Sequence, residues 1–361
     1  MKKIGMVTKT DYYNLGNRLQ AYAVYSILQK YGDVYNIIPY YIKPSENIKI
    51  KFKEIIKFFL SMFFPKFKRK KERKNNFLKF SMYIKNEVIL KSKREYDSLN
   101  NKYDFFTIGS DQIWNPNFYS TEQMLAVNML YFADNTKKIA ISPSIGVSNI
   151  DEKYKVIFNK YLQSFKCLSC REEQGAELIK NITGKECVTL LDPTLMLSLQ
   201  DWSKIEKKPS FHNIDQKYIL LYFLSGYSDK TKNTIKIIAE KNKLQIVDIY
   251  DDKSKYFTCG PSEFIYLVHN ASIILTDSFH ACVFSIIFEK SFRVFERENG
   301  GANMNSRIIN LIDKLGLKKD VYIDSNSNFN FENLFETNYD YSKLKNEQDK
   351  FKKYLDKAFE E

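Results

Sequence analysis

Short apolar runs alternate along this chain with stretches of helical periodicity. Residues 3–7, Lys-Ile-Gly-Met-Val, have the length and apolar content of a strand buried on both faces. From Arg18 the residues Leu19, Ala23, Ile27 and Leu28 recur at helical spacing, and the helix is expected to stop near Gly32. Further strands are expected at 34–38, 104–108, 139–142, 165–169 and 188–191, with Arg171-Glu172-Glu173 opening a helix after the fifth of these six strands. Residues 43–100 read as a basic helical insertion, and polar residues 198–216, with Lys207-Lys208-Pro209, as an interdomain connection. The second half alternates more cleanly. Strands are expected at 218–224, 244–250, 273–276 and 292–295, helices at 231–243, 261–270 and 279–288, and two more helices at 306–317 and 341–359. This pattern predicts parallel sheets covered on both faces. The expected fold is α/β, with two doubly wound domains. Domain one is 1–200 with its insertion, and domain two is 201–361 with the C-terminal helices.

Composition narrows the setting. A length of 361 residues suits two domains, and 44% apolar residues with 28 Phe and 25 Tyr can build large cores. Cysteines 167, 170, 187, 259 and 282 are odd in number and scattered, which suits a reducing compartment better than a disulfide framework. Met1-Lys2-Lys3 leads straight into the first strand, without a signal-peptide pattern. The longest greasy stretch, 55–64, contains Lys57 and is too short to span a membrane. A cytoplasmic protein is expected.

The formal charge of +13 is concentrated at 49–74, where eleven Lys or Arg face only Glu54 and Glu72. Beside Phe58, Phe59, Leu60, Phe63 and Phe64, that stretch fits either peripheral contact with an anionic bilayer or a solvated basic helix. No zinc finger, RNA-binding signature or basic zipper supports nucleic acid as a partner.

Ligands of open α/β sheets bind beyond the carboxyl ends of strands, where loops meet helix N-termini. Thr276-Asp277-Ser278-Phe279-His280 is the sharpest such junction. Asp277 or Ser278 can cap the following helix, its first-turn N–H groups can hold an anion, and His280 can act as general acid or bind phosphate. The structural alternative is a core histidine satisfied by backbone carbonyls. Gly260-Pro261 opens a second helix, as a phosphate cradle or simply as a well-made helix start. In the first half, the loop 109–116 gathers Ser110, Asp111, Gln112, Trp114 and Asn115, a combination that resembles a sugar-binding surface with Asp111 as a base. Its alternative is a loop held by its own Asx-type bonds. Arg171 follows a strand directly, either as a clamp for carboxylate or phosphate or as the partner of Glu172, Glu173 or another acid. Cys167-x-x-Cys170 lacks the further ligands of a zinc site, and no metal is expected. Walker A, G-x-G-x-x-G and G-x-S-x-G motifs are absent, which argues against the common nucleotide hydrolases, dehydrogenases and α/β-hydrolases.

Six segments in order resemble the polysaccharide pyruvyl transferase family: residues 14–23 (Asn-Leu-Gly-Asn-Arg-Leu-Gln-Ala-Tyr-Ala), 108–115, 169–172, 192–194, 260–264 and 276–280. Two departures are Ala281, where Gly is common, and residues 139–146, a loose version of a segment usually richer in Ala and Tyr. The resemblance implies two Rossmann-like domains facing across a cleft, similar to GT-B glycosyltransferases. It implies transfer of the pyruvyl group of phosphoenolpyruvate onto sugar hydroxyls as a ketal, with no cofactor beyond that donor. The acceptor would belong to a cell-surface polysaccharide, exopolysaccharide or capsule, and be free or lipid-linked at the inner face of the membrane. Donor contacts then fall to Arg171, Ser278, Phe279, His280, Gly260 and Pro261, with His280 and Asp111 catalytic. Acceptor contacts fall to Asn14, Gly16, Asn17, Ser110, Asp111 and Trp114. The competing readings are a GT-B glycosyltransferase using a nucleotide sugar and a non-catalytic carbohydrate- or membrane-binding relative.

Overall fold

Every strand pairing among the described residues is parallel. The computed structural model describes residues 1–9, 13–40, 64–212, 216–297, 302–323, 329, 333–336 and 339–360. The strands are β1 (Lys3–Val7), β2 (Asp33–Ile38), β3 (Glu87–Ile89), β4 (Phe105–Gly109), β5 (Lys138–Ile141), β6 (Ser169–Cys170), β7 (Val188–Thr189), β8 (Tyr218–Tyr222), β9 (Gln245–Asp248), β10 (Ile273–Thr276), β11 (Phe292–Phe295) and β12 (Tyr322–Ile323). The helices are α1 (Leu15–Leu28), α2 (Pro65–Phe80), α3 (Glu122–Val127), α4 (Glu152–Leu162), α5 (Glu173–Thr183), α6 (Leu199–Ser203), α7 (Asp229–Lys241), α8 (Pro261–Asn270), α9 (Phe279–Ile287), α10 (Ala302–Leu315) and α11 (Tyr341–Phe359).

The first sheet runs β3-β2-β1-β4-β5. A parallel bridge between Ile139 and Cys167 leads on to the β6-β7 pair. β1 and β4 are apolar and buried on both faces, as a central parallel strand must be. Val7, Phe106, Ile108, Trp114, Phe158 and Phe165 belong to one core cluster there. The second sheet runs β12-β11-β10-β8-β9, with Ile219, Leu221, Ile235, Ile238, Ile273 and Leu275 in its core. In chain order these are the 3-2-1-4-5 and 2-1-3-4-5 arrangements of doubly wound sheets. The strand order reverses between β1 and β4 in the first sheet, and between β8 and β10 in the second.

The chain divides into two compact units, one of residues 1–53, 81–197 and 345–361, the other of 54–80 and 198–344. Two segments therefore differ from the sequence expectation of domains 1–200 and 201–361. α2, from the basic insertion, belongs to the second unit. Its Arg73 is 2% exposed and donates from Nη1 to the carbonyls of Phe257 (2.8 Å) and Cys259 (3.3 Å). Arg69 Nε reaches the Asp252 carbonyl at 2.6 Å and Asn76 Nδ2 the Thr258 carbonyl at 2.9 Å. Part of the basic charge thus satisfies backbone oxygens. Residues 81–100 of the insertion belong to the first unit, where β3 edges the sheet. Residues 345–361 also join the first unit. There Phe351, Leu355 and Ala358 are buried, and the Tyr354 hydroxyl donates to the Ala140 carbonyl at 2.7 Å. Residues 49–63 of the basic stretch lie outside the described residues. No helix among the described residues is long and apolar enough to cross a membrane.

Candidate active site

The second sheet's reversal point is organised by Asp277. This residue leaves β10 2% exposed, and its carboxylate turns back across the sheet instead of capping α9. It accepts the backbone N–H groups of Leu224 (2.7 Å) and Ser225 (3.0 Å) and the Ser225 hydroxyl, all just beyond β8. Arg297, two residues past β11, pairs with it at 3.3 Å and donates from Nε to its backbone carbonyl at 3.2 Å. One carboxylate thus ties together the carboxyl ends of three strands.

Ser278 is the N-cap residue of α9, but its side chain makes no cap bond. Burial holds the pKa of the neighbouring Tyr222 phenol well above the usual tyrosine range. The Ser278 side chain thus does not cover the start of α9, and the partial positive charge of a helix start attracts an anion. Phe279 and His280 fill that turn with rings edge to face, centroids 5.4 Å apart. His280 is 8% exposed. The Arg307 guanidinium lies 6.0 Å from the Phe279 ring centre. Two arginines and a histidine thus surround a helix start, and this arrangement suits a small, highly charged anion.

Gly260 and Pro261 open α8, as the sequence predicts, but Gly260 has a packing duty. A Cβ there would stand 2.8 Å from Asn76 Cβ and 2.9 Å from the Asn76 carbonyl carbon. Its N–H donates to Glu263 Oε2 at 3.1 Å. Of the two readings left open by the sequence, the structure provides a helix start pressed against α2.

At the first sheet's reversal point, Asn14 caps α1 by accepting the Asn17 N–H at 3.1 Å, and Gly16 is buried in the first turn. Asn17 Nδ2 donates to Asp111 Oδ2 at 2.8 Å, which joins two of the predicted acceptor residues. Asp111 sits beyond β4 in the left-handed region, at φ 59°, and its other oxygen accepts the Gln112 N–H at 2.8 Å. An aspartate in that conformation is uncommon. Gln20, unremarked in the sequence, donates to Thr8 Oγ1 (2.9 Å), the Asn17 carbonyl (3.0 Å) and the Lys9 carbonyl (3.1 Å), and locks this corner.

Trp114 does not face a sugar. It is fully buried, its indole N–H donates to the Asn128 carbonyl at 2.9 Å, and Phe165 packs edge-on to it. Arg171 is buried as well, and it takes the ion-pair alternative. Its Nη1 meets Asp192 Oδ2 at 2.8 Å and its Nη2 lies 3.6 Å from Glu172. Those carboxylates and the nearby Asp111 hold its pKa above the ordinary arginine value, against the opposing effect of burial. Asp192 also accepts from Ser110 Oγ (3.2 Å) and from the Thr194 amide (3.0 Å) and hydroxyl (2.6 Å). The Asp192-Pro193-Thr194 motif and Ser110 are thus parts of one crosslink around Arg171.

The sequence reading missed Arg297, Arg307, Gln20 and the hub role of Asp192. Arg297 had a usable signal, since it too follows the carboxyl end of a strand. Among the described residues, no group of three His, Cys, Asp or Glu is placed to hold a metal ion.

The chain is similar in structure to UDP-N-acetylglucosamine 2-epimerase from Rickettsia bellii, with a TM-score of 0.51 and 11% identity over 99% of this chain and 97% of that one. It is also similar to the Neisseria meningitidis UDP-GlcNAc 2-epimerase solved with UDP-GlcNAc, at TM-score 0.48 and 12% identity over 99% of this chain and 100% of that one. The first likeness bears on the fold alone and agrees with a GT-B-like pair of Rossmann-like units. No curated protein sequence matches the chain. A sequence model of polysaccharide pyruvyl transferase matches residues 14–299, from the Asn14 cap of α1 past Arg297, and so the chain belongs to the polysaccharide pyruvyl transferase family.

Proposed function

We propose that this protein transfers the pyruvyl group of phosphoenolpyruvate to two hydroxyls of a sugar, as a cyclic ketal, on a cell-surface polysaccharide or its lipid-linked repeat unit. The observation that carries the reading is the start of α9, beyond the carboxyl end of β10 and set among His280, Arg297 and Arg307, in a chain of this family. Phosphoenolpyruvate brings a carboxylate and a phosphate. The first-turn N–H groups and Arg297 are suited to hold these groups.

The chemistry then balances without a redox step. A proton adds to the enol methylene, which becomes the ketal methyl. One sugar hydroxyl oxygen bonds to the central carbon, the bond from that carbon to the phosphate oxygen breaks, and the second hydroxyl oxygen takes the place of phosphate. Of the two hydroxyl protons released, one balances the proton on the methyl and the other leaves with phosphate. His280 is assigned to deliver the methyl proton or to protonate the departing phosphate. Asp111, oriented by Asn17, is assigned to contact the acceptor. Arg171 is assigned to hold the first-unit strand ends in place and not to clamp the donor, because Asp192 and Glu172 already engage it.

The reading is tested by phosphate release from phosphoenolpyruvate with galactoside or lipid-linked acceptors, using His280→Gln beside the parent. A loss of kcat of about 100-fold or more is expected for a proton donor. Turnover within a few-fold of the parent contradicts the assignment. A lipid-linked acceptor would place the enzyme at the inner membrane face. The exposed Lys68, Lys70, Lys71 and Lys79 on α2 suit an anionic surface there. Co-sedimentation with liposomes that is indifferent to anionic lipid and to salt would remove this part of the proposal.

A further inference from the structure

Exposed aromatic side chains are not spread evenly over the first unit. Among its described residues four are exposed: Tyr13 and Phe118 at 52% each, Tyr40 at 49% and Tyr83 at 41%. Tyr83 precedes β3 and lies towards the amino ends of the strands. The other three follow carboxyl ends. Tyr40 stands two residues past β2, Tyr13 lies between β1 and α1, directly before the Asn14 cap, and Phe118 follows β4. β2, β1 and β4 are consecutive neighbours in the sheet. A lone exposed ring needs no explanation, but three at one edge over adjacent strands do need one. That edge is where open α/β sheets take their ligands.

Phe118 and Tyr40 are held in place. Phe118 ends a short turn, Pro116–Phe118, in which Asn115 Oδ1 accepts the Asn117 N–H at 3.0 Å. The Tyr119 hydroxyl fixes the far side of that turn by donating to the Ile113 carbonyl at 2.7 Å. Lys9 Nζ lies 3.6 Å from the centre of the Phe118 ring, which draws the turn towards the end of β1, since Lys9 is two residues past that strand. The Tyr40 N–H donates to the hydroxyl of buried Tyr96 at 3.2 Å. A surface fixed before its ligand arrives loses little freedom on binding.

Span and polarity narrow the ligand. Neighbouring strands are about 4.8 Å apart, so the ends of β2 to β4 cover about 10 Å, more than one pyranose ring presents. Polar groups interleave with the rings: Asn14 and Asn17 at the start of α1, Lys9 past β1 and Asp111 past β4. An alkyl chain needs continuous apolar surface. A saccharide has apolar C–H faces separated by hydroxyls, and matches rings set among polar groups. One ammonium and one carboxylate in this set favour neither sign of charge, so the strip discriminates by length. We propose that the first unit holds its acceptor as an oligosaccharide laid across the ends of β2, β1 and β4, with Tyr40, Tyr13 and Phe118 as stacking platforms. This assignment rests on the pyruvyl-transfer reading: Asp111 takes the sugar that is modified, and the rings take its neighbours.

The test titrates the full chain, without phosphoenolpyruvate, with mono-, di- and tetrasaccharides of the β-1,4-galactan, β-1,4-glucan and chitin series. In at least one series the tetrasaccharide should bind about tenfold more tightly than the monosaccharide, the equivalent of one or two ring contacts. Tyr40→Ala combined with Phe118→Ala should bring that ratio to within about twofold, while Tyr83→Ala keeps it; all variants are checked for parental thermal unfolding. The strip is overturned by no tetrasaccharide binding, by affinity independent of length in every series, or by a ratio undiminished in the double variant. An equal loss in Tyr83→Ala also overturns it, as does displacement of the tetrasaccharide by farnesyl phosphate, which would assign the rings to a lipid tail. Phosphate release from phosphoenolpyruvate separates the two ideas. Length-dependent binding without turnover sinks the donor reading and leaves the strip standing. Turnover with equal kcat/KM for mono- and tetrasaccharide, in parent and double variant alike, keeps pyruvyl transfer and discards the strip.

Discussion

Asp192→Ala isolates what Arg171 does. Asp192 is 1% exposed and gathers Arg171, Ser110 and both polar groups of Thr194. Removing one partner of a buried ion pair costs about 3–5 kcal/mol, because the other charge stays buried. Glu172, 3.6 Å from the guanidinium, offsets some of that loss. The Thr194 N–H, left without its acceptor, adds to it at roughly 1–3 kcal/mol when no water replaces the bond. A net destabilisation of about 3–4 kcal/mol is expected. Arg171→Met should cost a similar amount. The double variant should lose less than the sum by about 2 kcal/mol, since the two residues share one interaction. The assay must report on one unit, because a two-unit chain does not guarantee a single unfolding step. The chain has two tryptophans, Trp114 in the first unit and Trp202 in the second. Denaturant titration followed by Trp114 fluorescence in a Trp202→Phe background therefore reads the unit that holds the pair. Losses below about 1 kcal/mol that add independently would refute the crosslink and return Arg171 to the list of donor ligands.

Two further outcomes follow from the same structure. Trp114→Phe should destabilise the first unit by about 1–3 kcal/mol through its lost bond to Asn128, while the acceptor KM stays within twofold; a large rise in KM would restore the sugar-facing role. Burial lowers the pKa of Lys138 from 10.5 to about 8. Between those two values the folded chain holds fewer protons than the unfolded one, so this group makes stability rise with pH across that window. Lys138→Met should flatten that rise in pH-dependent denaturation, and parallel curves for parent and variant would contradict the linkage.

Local signals carried the architecture far and the side-chain assignments less far. The helix start at Gly260-Pro261 was readable to the residue, because proline at the first helical position and an apolar face are properties of the segment itself. What Gly260 is for was not readable, since Asn76 reaches it from a distant stretch of chain. The same limit applies to Asp277. A carboxylate before a helix can cap it or reach sideways. The choice depends on β8 lying next to β10, and spacing does not encode that neighbour relation. Trp114 went astray for a related reason. Its polar neighbours suggest a binding loop, but the bulk of the indole found the core and the Asn128 carbonyl satisfied its N–H. α2 reads as basic surface by composition, and only its packing shows Arg69 and Arg73 spent on backbone carbonyls. The pairing of Asn17 with Asp111 was within reach, because both stand where the strand order of the first sheet reverses.

The start of α9 is the part of the molecule assigned to phosphoenolpyruvate. The most direct measurement incubates the purified chain with phosphoenolpyruvate and a panel of sugar acceptors, then follows inorganic phosphate and the acceptor mass together. The prediction is equal amounts of phosphate and of an acceptor carrying a pyruvyl ketal, with both signals falling at least 100-fold in His280→Gln. Phosphate and ketal at parental rates in that variant, or modification of the acceptor only when a nucleotide sugar replaces phosphoenolpyruvate, would contradict it.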